Sequence, residues 1–229
     1  MSEIPPLDLQ ALGRTIVIAP HDDDAAIGCG GLIQALPSPP VVVVVTDGRL
    51  GYQRLDQKHT IVALRREEAT ACYSRLGLAA ERLRFLGLPD MSLGNFLCFE
   101  TLDGRPGVTQ LLLRAFRQWQ VETVLLPSSA DVHPDHRATH EAGQAAALLA
   151  RDTLMPDLGA LAPIRQVLAY QVWEPLEHPD ARFVLEPGSG QRKREALSAY
   201  ASQGSIIAEL LRRETLSFRE ERFSVLTRF

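Results

Sequence analysis

A chain of 229 residues, 45% hydrophobic and 23% charged, can bury a sizeable core and is expected to fold as one domain over 1–229. Its formal net charge of -4 argues against a nucleic-acid or anionic-membrane surface as the main partner. It has no run of about 18 apolar residues, so no transmembrane helix is expected, and Met1-Ser2-Glu3-Ile4-Pro5-Pro6 lacks the basic-then-apolar pattern of a signal peptide.

In chain order, Thr15–Ala19 reads as a strand, residues 26–36 as a helix, and Val41–Thr46, with its five valines, as a strand buried on both faces. Residues 61–76 form a long helix with Leu64, Cys72 and Leu76 among its apolar positions, stopped by Gly77. Leu83–Leu88 is a strand, Val108–Gln118 a helix, residues 123–126 a strand and 137–151 an alanine-rich helix. This alternation implies a parallel sheet with helices on both faces, a Rossmann-like three-layer α/β sandwich. Residues 166–173 and 182–185 are β-like, with a proline-containing, hairpin-sized spacing at 174–181. Helices at 191–203 and 205–214 follow, punctuated by Gly204. The fold class expected is therefore a mostly parallel central sheet with a C-terminal β-hairpin plus helices. Cys29, Cys72 and Cys98 form no CxxC pair and lie far apart, a usage that fits a reducing cytoplasm.

Polar residues collect after the strands, where open parallel sheets bind ligands. His21-Asp22-Asp23-Asp24 follows the first strand, Asp47 the second, Asp90 the third, and His133-Pro134-Asp135-His136 the fourth. Three consecutive carboxylates repel one another and resist desolvation, so they require a cation or raised pKa values. Imidazole and carboxylate together suit borderline divalent metals such as zinc. His21 and Asp24 are three apart, His133 and His136 likewise, and His140 lies four further on. Two histidines and a carboxylate leave positions open, as in catalytic zinc sites, and metal-held water needs a base that is not a ligand, for which Asp23 is the candidate. Asp135 is within reach of His133 and is expected to hold that imidazole in a protonated, proton-donating form.

Blander readings exist for each cluster. Asp24 can cap the following helix, and His133–His136 can be a surface turn. Their joint placement at two strand ends favours the metal. His140 reads more naturally as a helix-surface residue, and His59 and His178 as loop residues. Gly28-Cys29-Gly30-Gly31 is not GxGxxG, and carboxylates occupy the place of a pyrophosphate, so close helix–sheet packing explains these small residues better.

These motifs resemble the LmbE-like, PIG-L family of zinc-dependent N-deacetylases. The family pattern His-Pro-Asp-Asp-Glu followed by Gly-x-Gly-Gly appears as His21-Asp22-Asp23-Asp24-Ala25 and Gly28-Cys29-Gly30-Gly31. Thr-x-Gly appears as Thr46-Asp47-Gly48, and the Arg-x-x-Glu helix ending in Leu-Gly as Arg65, Glu68 and Leu76-Gly77. Leu-Gly-x-Pro-Asp appears as Leu86-Gly87-Leu88-Pro89-Asp90, His-Pro-Asp-His as His133–His136, and the late Lys…Ser-Gln as Lys193 and Ser202-Gln203. The resemblance implies one zinc per chain on His21, Asp24 and His136. It implies Asp23 as general base and His133, oriented by Asp135, as general acid or oxyanion stabiliser. It implies Arg65 and Asp90 as substrate-gripping residues. The implied reaction is attack of zinc-activated water on an amide carbonyl, usually the N-acetyl group of an amino sugar such as N-acetylglucosamine. The implied partner is thus a small N-acylated sugar or glycoconjugate. Asp22 stands where the family has proline, and Ala25 where it has glutamate.

Two rivals stand beside this expectation. One is a metal-binding but catalytically silent binding or regulatory protein of the same fold. The other is a magnesium-dependent phosphate-transfer enzyme built on the Asp run. Specificity is expected in the loops at 49–59, 91–103 and 174–181, with Tyr52, Phe96, Phe99 and Trp173 as surfaces for stacking. Oligomeric state is left open, a homo-oligomer included.

Overall fold

The computed structural model describes residues 3–229, so the part of the signal-peptide expectation that rests on Met1 and Ser2 lies outside the described residues. A short helix α1 (Leu9–Leu12), capped by the Asp8 carboxylate, precedes β1 (Thr15–Ala19). Then come α2 (Asp24–Ala35), β2 (Val41–Thr46), α3 (Ile61–Arg75), β3 (Leu83–Leu88), α4 (Val108–Gln118), β4 (Thr123–Pro127), α5 (Pro134–Ala150) and β5 (Gln166–Tyr170). The first five strands pair in parallel in the spatial order β3-β2-β1-β4-β5. Every residue of β1, β2 and β4 is buried, because helices cover both faces of the sheet. On one face Val17, Val42 and Leu125 meet α2 and α3 through Leu32, Ala69 and Cys72. On the other, Ile16, Val43 and Val124 pack with Leu112, Phe116 and Ala146 of α4 and α5. The alternating apolar runs thus became the two-sided sheet that their pattern implied.

Small residues on α2 bring it onto the sheet. A side chain at Gly28 would overlap the Tyr170 ring, and that ring is held by its hydroxyl donating to Ile18 O at 2.8 Å. Close packing is therefore what the glycine after the Asp run serves.

The C-terminal third departs from the expected hairpin. β6 (Ala181–Val184), α6 (Pro187–Leu197) and α7 (Gly204–Arg212) are followed by β7 (Glu220–Arg228), a strand that the sequence reading missed. β7 inserts between β5 and β6, antiparallel to both, so the sheet has seven strands in the order β3-β2-β1-β4-β5-β7-β6. Residues 166–173 and 182–185 are not paired with each other. β7 hides its strand character because one of its inward positions is Glu221, buried beside Phe223. That carboxylate accepts Gly31 N at 2.6 Å and Leu32 N at 2.8 Å, and pairs with the fully buried Lys193 Nζ at 2.7 Å. A buried charge is tolerated only with such partners. No described helix is long and apolar enough to cross a membrane.

Candidate active site

β1 and β4 lie side by side, but the chain leaves β1 towards β2 on one side and β4 towards β5 on the other. The following segments diverge and open a crevice at the carboxyl ends of the strands, the usual ligand position in such sheets. His21–Asp24 and Ser128–His136 face each other across it. α2 starts at Asp24 and α5 at Pro134, so both clusters also sit at helix N-termini, where main-chain N–H groups are unpaired and carboxylates are stabilised.

Three donor atoms form a triangle there. His21 Nδ1 lies 3.2 Å from Asp24 Oδ2 and 3.3 Å from His136 Nε2, and His136 Nε2 lies 3.2 Å from Asp24 Oδ2. Ligands about 2.0–2.1 Å from a tetrahedral ion sit roughly 3.3 Å apart, so the edges fit a zinc-sized cation. Two imidazole nitrogens facing each other at this distance share one acceptor, an arrangement that a cation resolves. Burial disfavours charge on His21, but the neighbouring Asp135, Asp24 and Asp90 carboxylates outweigh it and raise its pKa well above the usual value. Burial likewise opposes charge on His136, yet Asp24 and Asp131 lift it to about 9. For Asp24, burial pushes the carboxyl up, but His136 and His21 hold it well below the usual range. Protons thus gather where a divalent cation would compete for the same atoms. His133 is also close, its ring centroid 4.6 Å from that of His21.

Further carboxylates orient the imidazoles from behind. His21 Nε2–H donates to Asp90 Oδ1 at 3.2 Å, with Asp135 Oδ2 at 3.6 Å. His136 Nδ1 lies 3.1 Å from Asp131 Oδ2, off the line of a well-formed hydrogen bond. Asp131 escaped the sequence reading, although it lies two residues before His133 in the segment between β4 and α5. Its carboxylate also accepts His133 N and Trp173 N, both at 3.0 Å. Carboxylates behind metal-ligating histidines tune ligand basicity and orientation. If the triangle holds a divalent cation, an Asp131→Asn variant is expected to bind it about 10–100-fold more weakly, measurable by competition with a chromophoric chelator. Unchanged affinity would remove Asp131 from the site.

The expectation for Asp135 needs correcting. Its carboxylate accepts Met91 N at 2.7 Å and Leu93 N at 3.1 Å and does not hold His133. Instead the Asp135 main-chain N–H donates to His133 Nδ1 at 3.2 Å, because α5 begins at Pro134 and leaves that N–H free. The ring proton of neutral His133 therefore sits on Nε2. Burial and the charges of His21 and His136 push His133 down to about 4, so it is neutral near pH 7 rather than the expected imidazolium.

Asp22 and Arg65 also acquire partners. Arg65 is only 4% exposed, and its Nε and Nη2 grip the Asp22 carboxylate at 2.8–3.1 Å. Nη2 also donates to Asp23 Oδ1 at 3.3 Å. Burial lifts Asp22 to about 6 and raises Asp23, with Arg65 opposing both. Asp23 Oδ2 accepts no hydrogen bond among the described residues. Asp90, in addition to His21, accepts Leu50 N at 3.0 Å through Oδ2. Arg65 and Asp90 both line the cavity, but each is engaged within the protein.

That cavity has a volume of about 130 Å³, below the roughly 300 Å³ of an ordinary ligand pocket. His21, Asp23, Asp24 and His133 form its polar wall. Trp173, Ile206 and Leu210 form an apolar wall, and Leu50 and Met91, both half exposed, stand at its rim. Of the proposed stacking aromatics only Trp173 reaches it; Tyr52, Phe96 and Phe99 do not. Ile206 and Leu210 come from α7, where only the amphipathic spacing of that helix could have signalled them. His140 turns away, with Nδ1 2.7 Å from Pro127 O and Nε2 against Gln144.

The family described as GlcNAc-PI de-N-acetylase, PIG-L, matches residues 16–147. The 2'-N-acetylparomamine deacetylase of Streptomyces fradiae is 32% identical over 142 residues. That match covers 57% of this chain and 50% of the relative, so the chain spans about half of that protein's length. Among solved structures, the N,N'-diacetylchitobiose deacetylase of Pyrococcus horikoshii superposes with a TM-score of 0.73 at 22% identity, covering 96% of this chain and 87% of its own. The 4-carboxy-2-hydroxymuconate hydratase of Pseudomonas putida KT2440 gives a TM-score of 0.70 at 19% identity, covering 94% and 97%. One fold thus carries hydrolytic and hydrating chemistries, and the reaction has to be argued from the site.

Proposed function

The chain belongs to the PIG-L family, and from that premise we propose that it is a zinc-dependent hydrolase removing an N-acyl group, N-acetyl foremost, from an amino sugar or sugar conjugate. The observation that carries this reading is the His21–Asp24–His136 triangle with an unengaged Asp23 oxygen beside it on one cavity wall. Two imidazoles and a carboxylate suit zinc better than the all-oxygen sites of magnesium. When bound, such a metal polarises the amide carbonyl and acidifies water.

The chain's own residues supply the rest. Asp23 Oδ2 takes a proton from the attacking water. His133, with its ring proton on Nε2, donates a hydrogen bond to the oxygen on which negative charge develops. As the C–N bond breaks, the proton held by Asp23 passes to the departing nitrogen, leaving a carboxylic acid and a free amine. Trp173 and the rim residues Leu50 and Met91 seat the part of the sugar that the cavity cannot enclose. We further propose that residues 1–229 act as one domain, and that the protein works in the cytoplasm, on the ground of its free Cys29, Cys72 and Cys98.

The test is release of primary amine from N-acetylglucosamine and 2'-N-acetylparomamine. Chelation should abolish release, and added zinc should restore it. A protein that holds stoichiometric zinc yet frees no amine from any N-acylated sugar would overturn the reading.

A further inference from the structure

Asp22 occupies the place where the family pattern has proline, and it is not a vacant carboxylate. It receives the two-nitrogen fork of Arg65, with Nε at 2.9 Å from Oδ2 and Nη2 at 2.8 Å from Oδ1. Among the described residues, Arg65 is the one Lys or Arg side chain in the cavity wall. The backbone lies close against its guanidinium: a side chain at Gly51 would overlap Nη1, and one at Gly48 would lie 3.1 Å from Nε. The Tyr200 hydroxyl donates to Asp22 O at 2.6 Å and fixes the other partner. With Asp23 Oδ1 also at 3.3 Å, two carboxylates surround one guanidinium.

We propose that Asp22 is a specificity-determining residue, acting through Arg65: it neutralises the cavity's guanidinium, so that uncharged or cationic N-acylated amino sugars are accepted and anionic ones rejected. The proposal rests on the deacetylase reading. A guanidinium recognises phosphate or carboxylate with the same fork that Asp22 occupies. An anionic substrate would have to displace a buried carboxylate and strand its charge, which is costly. It would also approach Asp23 and Asp90, both in the cavity wall. A substrate amine meets the opposite field.

The test uses zinc-loaded wild type with Asp22→Asn and Asp22→Pro. The proline variant guards against misfolding, since the Asp22 N–H donates no hydrogen bond among the described residues. Binding of glucosamine, glucosamine 1-phosphate and glucosamine 6-phosphate is measured by calorimetry, and kcat/KM on the N-acetylated forms. Wild type should favour glucosamine, which carries no phosphate, over both phosphates by at least about tenfold, and each variant should lower that preference about tenfold while keeping its zinc. An unchanged preference in both folded variants, or no measurable binding of any of these sugars, overturns the proposal. If binding preferences shift but no acetyl group is ever released, the deacetylase reading falls while the role of Asp22 stands.

Discussion

On the proposed zinc-hydrolase reading, an Asp23→Asn variant should retain metal and lose about 10²–10⁴-fold in kcat, the range expected when a positioned general base is removed. The substitution preserves shape and removes basicity. Asp23 is buried at the N-terminus of α2, one oxygen turned to Arg65 and the other without a partner among the described residues. Burial raises its pKa above the usual carboxylate range, which makes the carboxylate more basic, and Arg65 limits the rise. Because Asp22 holds Arg65 more closely than Asp23 does, the guanidinium stays paired in the variant, and folding should survive. Metal content, circular dichroism and steady-state kinetics together check the outcome. Near-normal turnover with full metal would show that another group takes the proton.

The His136→Ala variant should lose both metal and activity, and stability as well. His136 is fully buried, and its two nitrogens face Asp24 and Asp131. Removing the ring takes one partner from each of two buried carboxylates, Asp24 keeping His21 and Asp131 keeping His133 N and Trp173 N, and breaking such a buried pair costs about 3–5 kcal/mol. The expected readings are substoichiometric zinc by elemental analysis, background rates of amine release, and a lowered denaturation midpoint. A variant that binds zinc at wild-type affinity would exclude His136 as a ligand. Together the two variants separate proton transfer from metal retention: Asp23 should affect rate alone, His136 everything.

The strand and helix alternation through β5 was legible because each apolar run answers to a face of the sheet. The five valines of β2 are apolar on both sides because α2 and α3 cover one and α4 and α5 the other. β7 was not legible. Its inward Glu221 breaks the apolar alternation, and the reason for a carboxylate there is Lys193 and two N–H groups of α2, far away in sequence. The same limit applies in the site. Asp131 carries no local motif, and its contacts to His136, His133 and Trp173 appear only once β4, α5 and the segment after β5 are brought together. His133 looked poised to hold a proton next to Asp135, whereas the start of α5 turns the Asp135 main chain, not its carboxylate, towards the ring.

By itself the sequence determined the fold class, the two polar clusters and the strand ends that carry them, since hydrophobic period and short-range spacing are properties of neighbouring residues. Only the tertiary structure decided how the three Asp residues divide their surroundings: Asp24 towards two imidazoles, Asp23 towards the cavity, Asp22 onto Arg65. That division depends on distances and burial between segments separated by many residues, and in a low-dielectric crevice those set charge and proton position more strongly than residue type does.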